Sequence, residues 1–86
     1  MNSEIEKYKK KLLYRSQYRG TKEMDKLIGN FVKKYINVFD KNELVELEKF
    51  LNIDDDTLYK FYNNQISHSA IEQSKITILF KNYIYK

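Results

Sequence analysis

The sequence predicts an all-α protein, a single compact bundle of about five short helices forming one domain over residues 1–86. Apolar residues recur at helical spacing, most clearly at Met24, Leu27, Ile28, Phe31 and Tyr35. Three S/T/D-x-x-E pairs, Ser3–Glu6, Asp40–Glu43 and Ser69–Glu72, mark helix starts. One segment, "KITILF", alternates like a strand, but no second strand exists to pair with it.

The first helix is expected over about 4–18, opened by the Ser3–Glu6 capping box and carrying Ile5, Tyr8, Leu12 and the stem of Arg15, with Leu13 widening the stripe. Gly20 ends it as a left-handed cap, and Thr21 caps the second helix, expected over 22–38. Gly29 lies inside that second helix at a cost of ~1 kcal/mol against alanine, which suits a close helix crossing. Asp40 and Glu43 open a third helix with Leu44, Leu47, Phe50 and Leu51 on its apolar face. The aspartates of "NIDDDT" cap a short fourth helix bearing Leu58, Phe61 and Tyr62. "NNQISH" reads as a loop. Ser69 and Glu72 then introduce a last stripe of Ile76, Leu79, Phe80 and Tyr83.

Composition narrows the function. Hydrophobic residues make up 42% of 86, enough for one modest core. With no cysteine, neither a disulfide framework nor a thiolate metal site can form. "MNSEIEKYKKKLLYRS" lacks the apolar stretch of a secretory signal, and Glu4 and Glu6 argue against a transit peptide. No run approaches the ~18 apolar residues of a membrane span. The expected setting is the cytoplasm, or an organelle after processing.

Two glycines cannot build a phosphate-cradling loop. His68 is the only histidine and has no companion ligand, so a solvated loop residue is the better account of it. Asp54, Asp55 and Asp56 lack calcium-loop spacing, and Ser16, Ser67, Ser69 and Ser74 have no base arranged for nucleophilic catalysis. No catalytic residue and no metal site is expected.

The net charge of +4 is unevenly spread. Residues 1–35 hold ten Lys/Arg against four Asp/Glu, whereas residues 36–72 hold three against eight. Fourteen of the sixteen basic residues are lysine, and the two arginines, Arg15 and Arg19, stand four apart just before Gly20. At i and i+4 they project from one side of the first helix, and Glu23 falls in the first turn of the second. Arginine's planar fork binds carboxylates and phosphates in a bidentate way that lysine cannot copy. Two forks and a carboxylate around a bare glycine corner form a candidate binding surface. Local physics alone favours ordinary helix punctuation.

"LLYRSQYRGTKEMDKLIGNF" resembles the signature of the succinate dehydrogenase assembly factor family, whose hallmark R-G-x-x-E stands here as Arg19-Gly20-Thr21-Lys22-Glu23. Asp25 and Leu27 follow the family style, and "LNIDDDTLYKFY" is similar to the family's "L…D.DL…W" segment. The resemblance covers about residues 8–82. Phe61 stands where the family often has tryptophan, and "NNQISH" where it has glycine and proline.

That resemblance implies an assembly chaperone, not an enzyme, promoting covalent attachment of FAD to the flavoprotein subunit of succinate dehydrogenase, and of fumarate reductase as a further client. The chain itself would bind no cofactor tightly and act as a monomer. Arg15, Arg19, Gly20, Thr21, Lys22 and Glu23 would form the partner-binding surface. The alternative is a small basic nucleic-acid-binding module, suggested by Lys7, Lys9, Lys10, Lys11, Arg15 and Arg19 interleaved with Tyr8, Tyr14 and Tyr18. The acidic middle of the chain argues against it.

Overall fold

The computed structural model describes residues 3–67 and 71–85. Five helices follow in order: α1 Ser3–Gln17, α2 Lys22–Tyr35, α3 Lys41–Leu51, α4 Asp55–Tyr62 and α5 Lys75–Asn82. Among the described residues there is no strand, and no helix is long and apolar enough to cross a membrane.

Most helix starts are set by the side chains that the sequence singles out. Thr21 accepts a hydrogen bond from the Met24 N–H to open α2. Asp40 and Glu43 form a reciprocal capping box, with both bonds at 2.8 Å, to open α3. Asp54 caps α4 by accepting from the Thr57 N–H and hydroxyl. Each cap satisfies an N–H that the helix itself leaves without a partner.

The start of α5 differs from expectation. Its cap is Ser74, paired with Thr77 in a capping box in which threonine replaces the usual glutamate. Ser69, the predicted cap, and His68 lie outside the described residues, as does the side chain of Ser3. The second helix is also shorter than expected. It stops at Tyr35, where the N–H groups of Val38 and Phe39 both turn back to the Tyr35 carbonyl. After this turn Phe39 is in the core and Val38 is exposed.

The strand-like segment is helical, and its burial shows why. Ile76 and Phe80, four apart, are both fully buried, while Ile78 between them is 53% exposed. A strand would have buried all three on one face. Phe80 then becomes the meeting point of the bundle. Its ring centroid lies 5.3 Å from Phe31 of α2, 5.0 Å from Phe50 of α3 and 5.0 Å from Tyr62 of α4. Edge-to-face and tilted aromatic contacts of this kind add ~0.5–1.5 kcal/mol each beyond the area buried.

Helices α1 and α2 meet closely, as Gly29 suggests. A Cβ at Gly29 would lie 3.0 Å from Gln17 Cγ and 3.6 Å from the Ser16 carbonyl oxygen. Ser16 is itself fully buried, its hydroxyl donating to the Leu13 carbonyl one turn back. Two small residues therefore bring the two helices together just before the chain turns from one into the other.

Replacing Phe80 with alanine removes one partner from three aromatic contacts at once. The expected loss is about 3–5 kcal/mol, a large share of the ~5–15 kcal/mol of a typical domain. Urea unfolding followed by circular dichroism measures it, and a change below about 1 kcal/mol would contradict this description of the core.

Candidate functional site

The turn from α1 to α2 occupies Tyr18 to Thr21, and one carboxylate organises it. Asp25, in the first turns of α2, accepts the Arg19 backbone N–H and, at 3.3 Å, the Gly20 N–H on the same oxygen. Gly20 has φ +131°, in the region that disfavours any residue with a Cβ. Apart from its chain neighbours, none of the described residues comes within 4 Å of where that Cβ would stand. The glycine is therefore required by its backbone angle and not by crowding, and the corner outside it is open.

Thr21, Lys22 and Glu23 continue from this corner on the surface. The Glu23 side chain makes no hydrogen bond or ion pair with any of the described residues. It stands at the rim of a groove of about 390 Å³ between α2 and α4. Met24 and Leu27 of α2 and Tyr59 and Tyr62 of α4 line that groove, with Tyr85 of the C-terminal segment closing one side. Tyr62 fixes that segment by donating to the Tyr83 carbonyl at 2.6 Å and accepting from the Tyr85 N–H at 3.3 Å.

Both arginines project from one side, as their spacing predicts, but that side faces the protein. The expectation of two outward guanidinium forks does not hold. Arg19 turns under the corner to the junction between α3 and α4. Its Nε donates to Asp55 Oδ1 at 2.7 Å, Nη1 to the Leu51 carbonyl at 2.7 Å and Nη2 to the Ile53 carbonyl at 2.6 Å. The side chain is only 8% exposed. Leu51 is the last residue of α3, so the guanidinium supplies donors to a helix C-terminus that lacks them.

Arg15 reaches the same junction from one turn earlier. Its Nη2 donates to Asn52 Oδ1 at 2.5 Å, and Nη1 lies 3.8 Å from Glu48 Oε2. Glu48 also accepts the Tyr8 hydroxyl at 2.5 Å and has Lys11 Nζ at 3.7 Å. The Tyr8 hydrogen bond, followed by the charges of Lys11 and Arg15, holds the Glu48 carboxyl below the ordinary carboxylate range. Burial, reinforced by the Glu48 hydrogen bond and charge, pushes the Tyr8 phenol up to about 12.

The six residues chosen from sequence thus divide into two layers. Gly20, Thr21, Lys22 and Glu23 form the outer corner; Arg15 and Arg19 lie behind it. The sequence shows Asp25 only as part of the family style, and it does not show that Asp25 holds the turn or that the tyrosines of α4 line a groove beside it. An acid five residues after the glycine was the available sign for Asp25. A second cavity, about 420 Å³ beside Glu46, Thr57 and Thr77, contains none of the six. Among the described residues no cluster of three or more His, Cys, Asp or Glu is placed to hold a metal ion.

A family described as "Flavinator of succinate dehydrogenase" matches residues 10–83, nearly the whole chain and all of the corner. The chain belongs to this succinate dehydrogenase flavinator family. It is 34% identical over 70 residues to "Succinate dehydrogenase assembly factor 2, mitochondrial" of Saccharomyces cerevisiae, covering 81% of this chain and 43% of that protein. The protein of the same name in Arabidopsis thaliana is 38% identical over 55 residues, 64% of this chain and 29% of its own length. That of Drosophila virilis is 43% identical over 44 residues, 51% of this chain and 28% of its own length. The chain therefore spans less than half the length of these relatives. No solved structure matches it.

Family membership gives the nucleic-acid alternative no support, and the geometry weakens its basis. Arg15 and Arg19 are occupied by the α3–α4 junction, Tyr8 by Glu48, and Lys9 lies 3.8 Å from Glu6.

Gly20→Ala is expected to destabilise by about 1–3 kcal/mol through its backbone angle alone. Gly29→Ala, which gains helix propensity and needs only a small shift of Gln17, should cost less; paired urea midpoints compare the two. The pH dependence has two limbs. Carboxyls held low by their contacts, Glu48 by Tyr8, Glu43 by Lys75 and Asp54 by Thr57, stabilise above their unfolded values, and this is lost as pH falls through the folded ones. Tyr8, raised from 10.0 to about 12, stabilises fully below pH 10 and loses its contribution between those values. Tyr8→Phe should flatten the alkaline limb of urea midpoints measured against pH.

Proposed function

We propose that this chain promotes covalent attachment of FAD to the flavoprotein subunit of succinate dehydrogenase, acting as an assembly chaperone and not as an enzyme. The histidine that takes the flavin belongs to the partner. The observation that carries the reading is the open corner at Gly20, continuous with an exposed Glu23 and a groove lined by tyrosines. Family membership supplies the chemistry, and the corner supplies a surface on which a large partner can rest.

In this reading Gly20, Thr21, Lys22 and Glu23 touch the flavoprotein near its flavin site and hold its domains in the geometry that favours bond formation. The bare backbone at Gly20 permits close approach, and the Glu23 carboxylate has no partner to give up among the described residues. The chain works as a single domain and a monomer, holds no FAD tightly by itself, and takes the flavoprotein of fumarate reductase as a second client. Its compartment is that of the flavoprotein, the cytoplasm of a bacterium or, in an organelle, the mitochondrial matrix; the relatives are named as mitochondrial.

Glu23→Ala tests this with little risk to the fold, because the side chain is exposed. Co-expressed with the flavoprotein subunit, the variant should leave covalent flavin, read by in-gel fluorescence after denaturation, at least about tenfold below the level given by the parent chain. A folded Glu23→Ala that supports normal flavinylation would overturn the assignment of this corner.

A further inference from the structure

We propose that Arg19 serves partner binding as a positioning residue, setting the α2–α4 groove through the α3–α4 junction without touching the partner. The inference rests on the docking reading above and assigns a different task to one residue of the R-G-x-x-E motif.

The geometry of the guanidinium carries it. Nε, Nη1 and Nη2 all have acceptors, at 2.7, 2.7 and 2.6 Å, on three separate residues of one junction. A group with these three nitrogens engaged and 8% of its side chain exposed presents little surface to another protein. Direct recognition would have to use the two N–H groups left over on this enclosed side chain, or break bonds that hold the Leu51 and Ile53 carbonyls.

The two walls of the groove are each tied to Arg19. Its backbone N–H donates to Asp25, two residues beyond Glu23 on α2. Its side chain holds Asp55, the first residue of α4, and Tyr59 stands four residues on, one turn along the same face. Glu23 of α2 and Tyr59 of α4 both line the groove, and Arg19 is bonded near the start of each of these helices. Lysine has one terminal nitrogen and cannot span Asp55, Leu51 and Ile53 together, which accounts for a guanidinium in a lysine-rich chain.

Replacing Asp55 separates the two roles. Asp55→Ala frees one edge of the guanidinium while keeping Arg19 present. If Arg19 positions the groove, Asp55→Ala and Arg19→Lys should each weaken binding to the purified flavoprotein subunit by about tenfold or more. The double variant should then be little worse than either single one, since both break the same clamp. Hydrogen exchange on the chain alone should show faster exchange at residues 20–25 and 53–59 with α5 unchanged. Such a local pattern would not accompany a general loss of stability.

Asp55→Ala binding as tightly as the parent, or more tightly, while Arg19→Lys binds weakly, would identify Arg19 as a direct contact and overturn the proposal. So would normal binding by both. Glu23→Ala is measured alongside. If it binds normally while the clamp variants fail, the docking corner is wrong and the clamp stands. If Glu23→Ala fails and the clamp variants bind normally, the clamp is wrong and the corner stands. Failure of the parent chain to bind overturns both.

Discussion

A guanidinium taken out of water loses hydration worth several kcal/mol, and that loss has to be offset by well-placed acceptors. Arg19 meets this condition by using what the bundle leaves over at the α3–α4 junction: a terminal carbonyl of α3, a carbonyl of the linker and the first carboxylate of α4. The short connection between those helices is thereby closed from outside, by a residue more than thirty positions earlier in the chain. Arg19 ties the α1–α2 corner to the α3–α4 junction.

The aromatic core performs the corresponding task for the remaining helices. Phe80 brings α5 against Phe31, Phe50 and Tyr62, so a final helix of eight residues is held by rings from three others. Such a short helix has little stability of its own. The division is between a nonpolar centre that gathers the helices and a polar clamp that fixes their angles near the surface. Small residues at Ser16 and Gly29 allow α1 to join both.

Much of this was legible in the chain. The period of Met24, Leu27, Ile28 and Phe31, and the caps at Thr21, Asp40 and Asp54, depend on neighbours within one or two turns, so the sequence displays them directly. The direction of Arg19 depends on carbonyls thirty-two and thirty-four residues away, and backbone carbonyls leave no mark in a sequence. The spacing of Arg15 and Arg19 revealed a shared side but not which side. The Ser74 cap lacks the usual glutamate three residues on, because threonine takes its place, and the end of α2 at Tyr35 carries no glycine or proline to mark it. The open corner was legible as a glycine stop, whereas its neighbouring groove required α4 to be placed in space.

The angle at Gly20 has a stereochemical consequence. A φ of +131° with empty space where a Cβ would stand is a demand on handedness and not on size. For a residue of inverted chirality this φ belongs to the ordinary extended range, the mirror image of what an L-residue adopts in a strand. A chemically synthesised chain of this length with D-alanine at position 20 would therefore relieve the torsional objection to a side chain. The corner distinguishes the two mirror forms of one methyl group before any partner arrives.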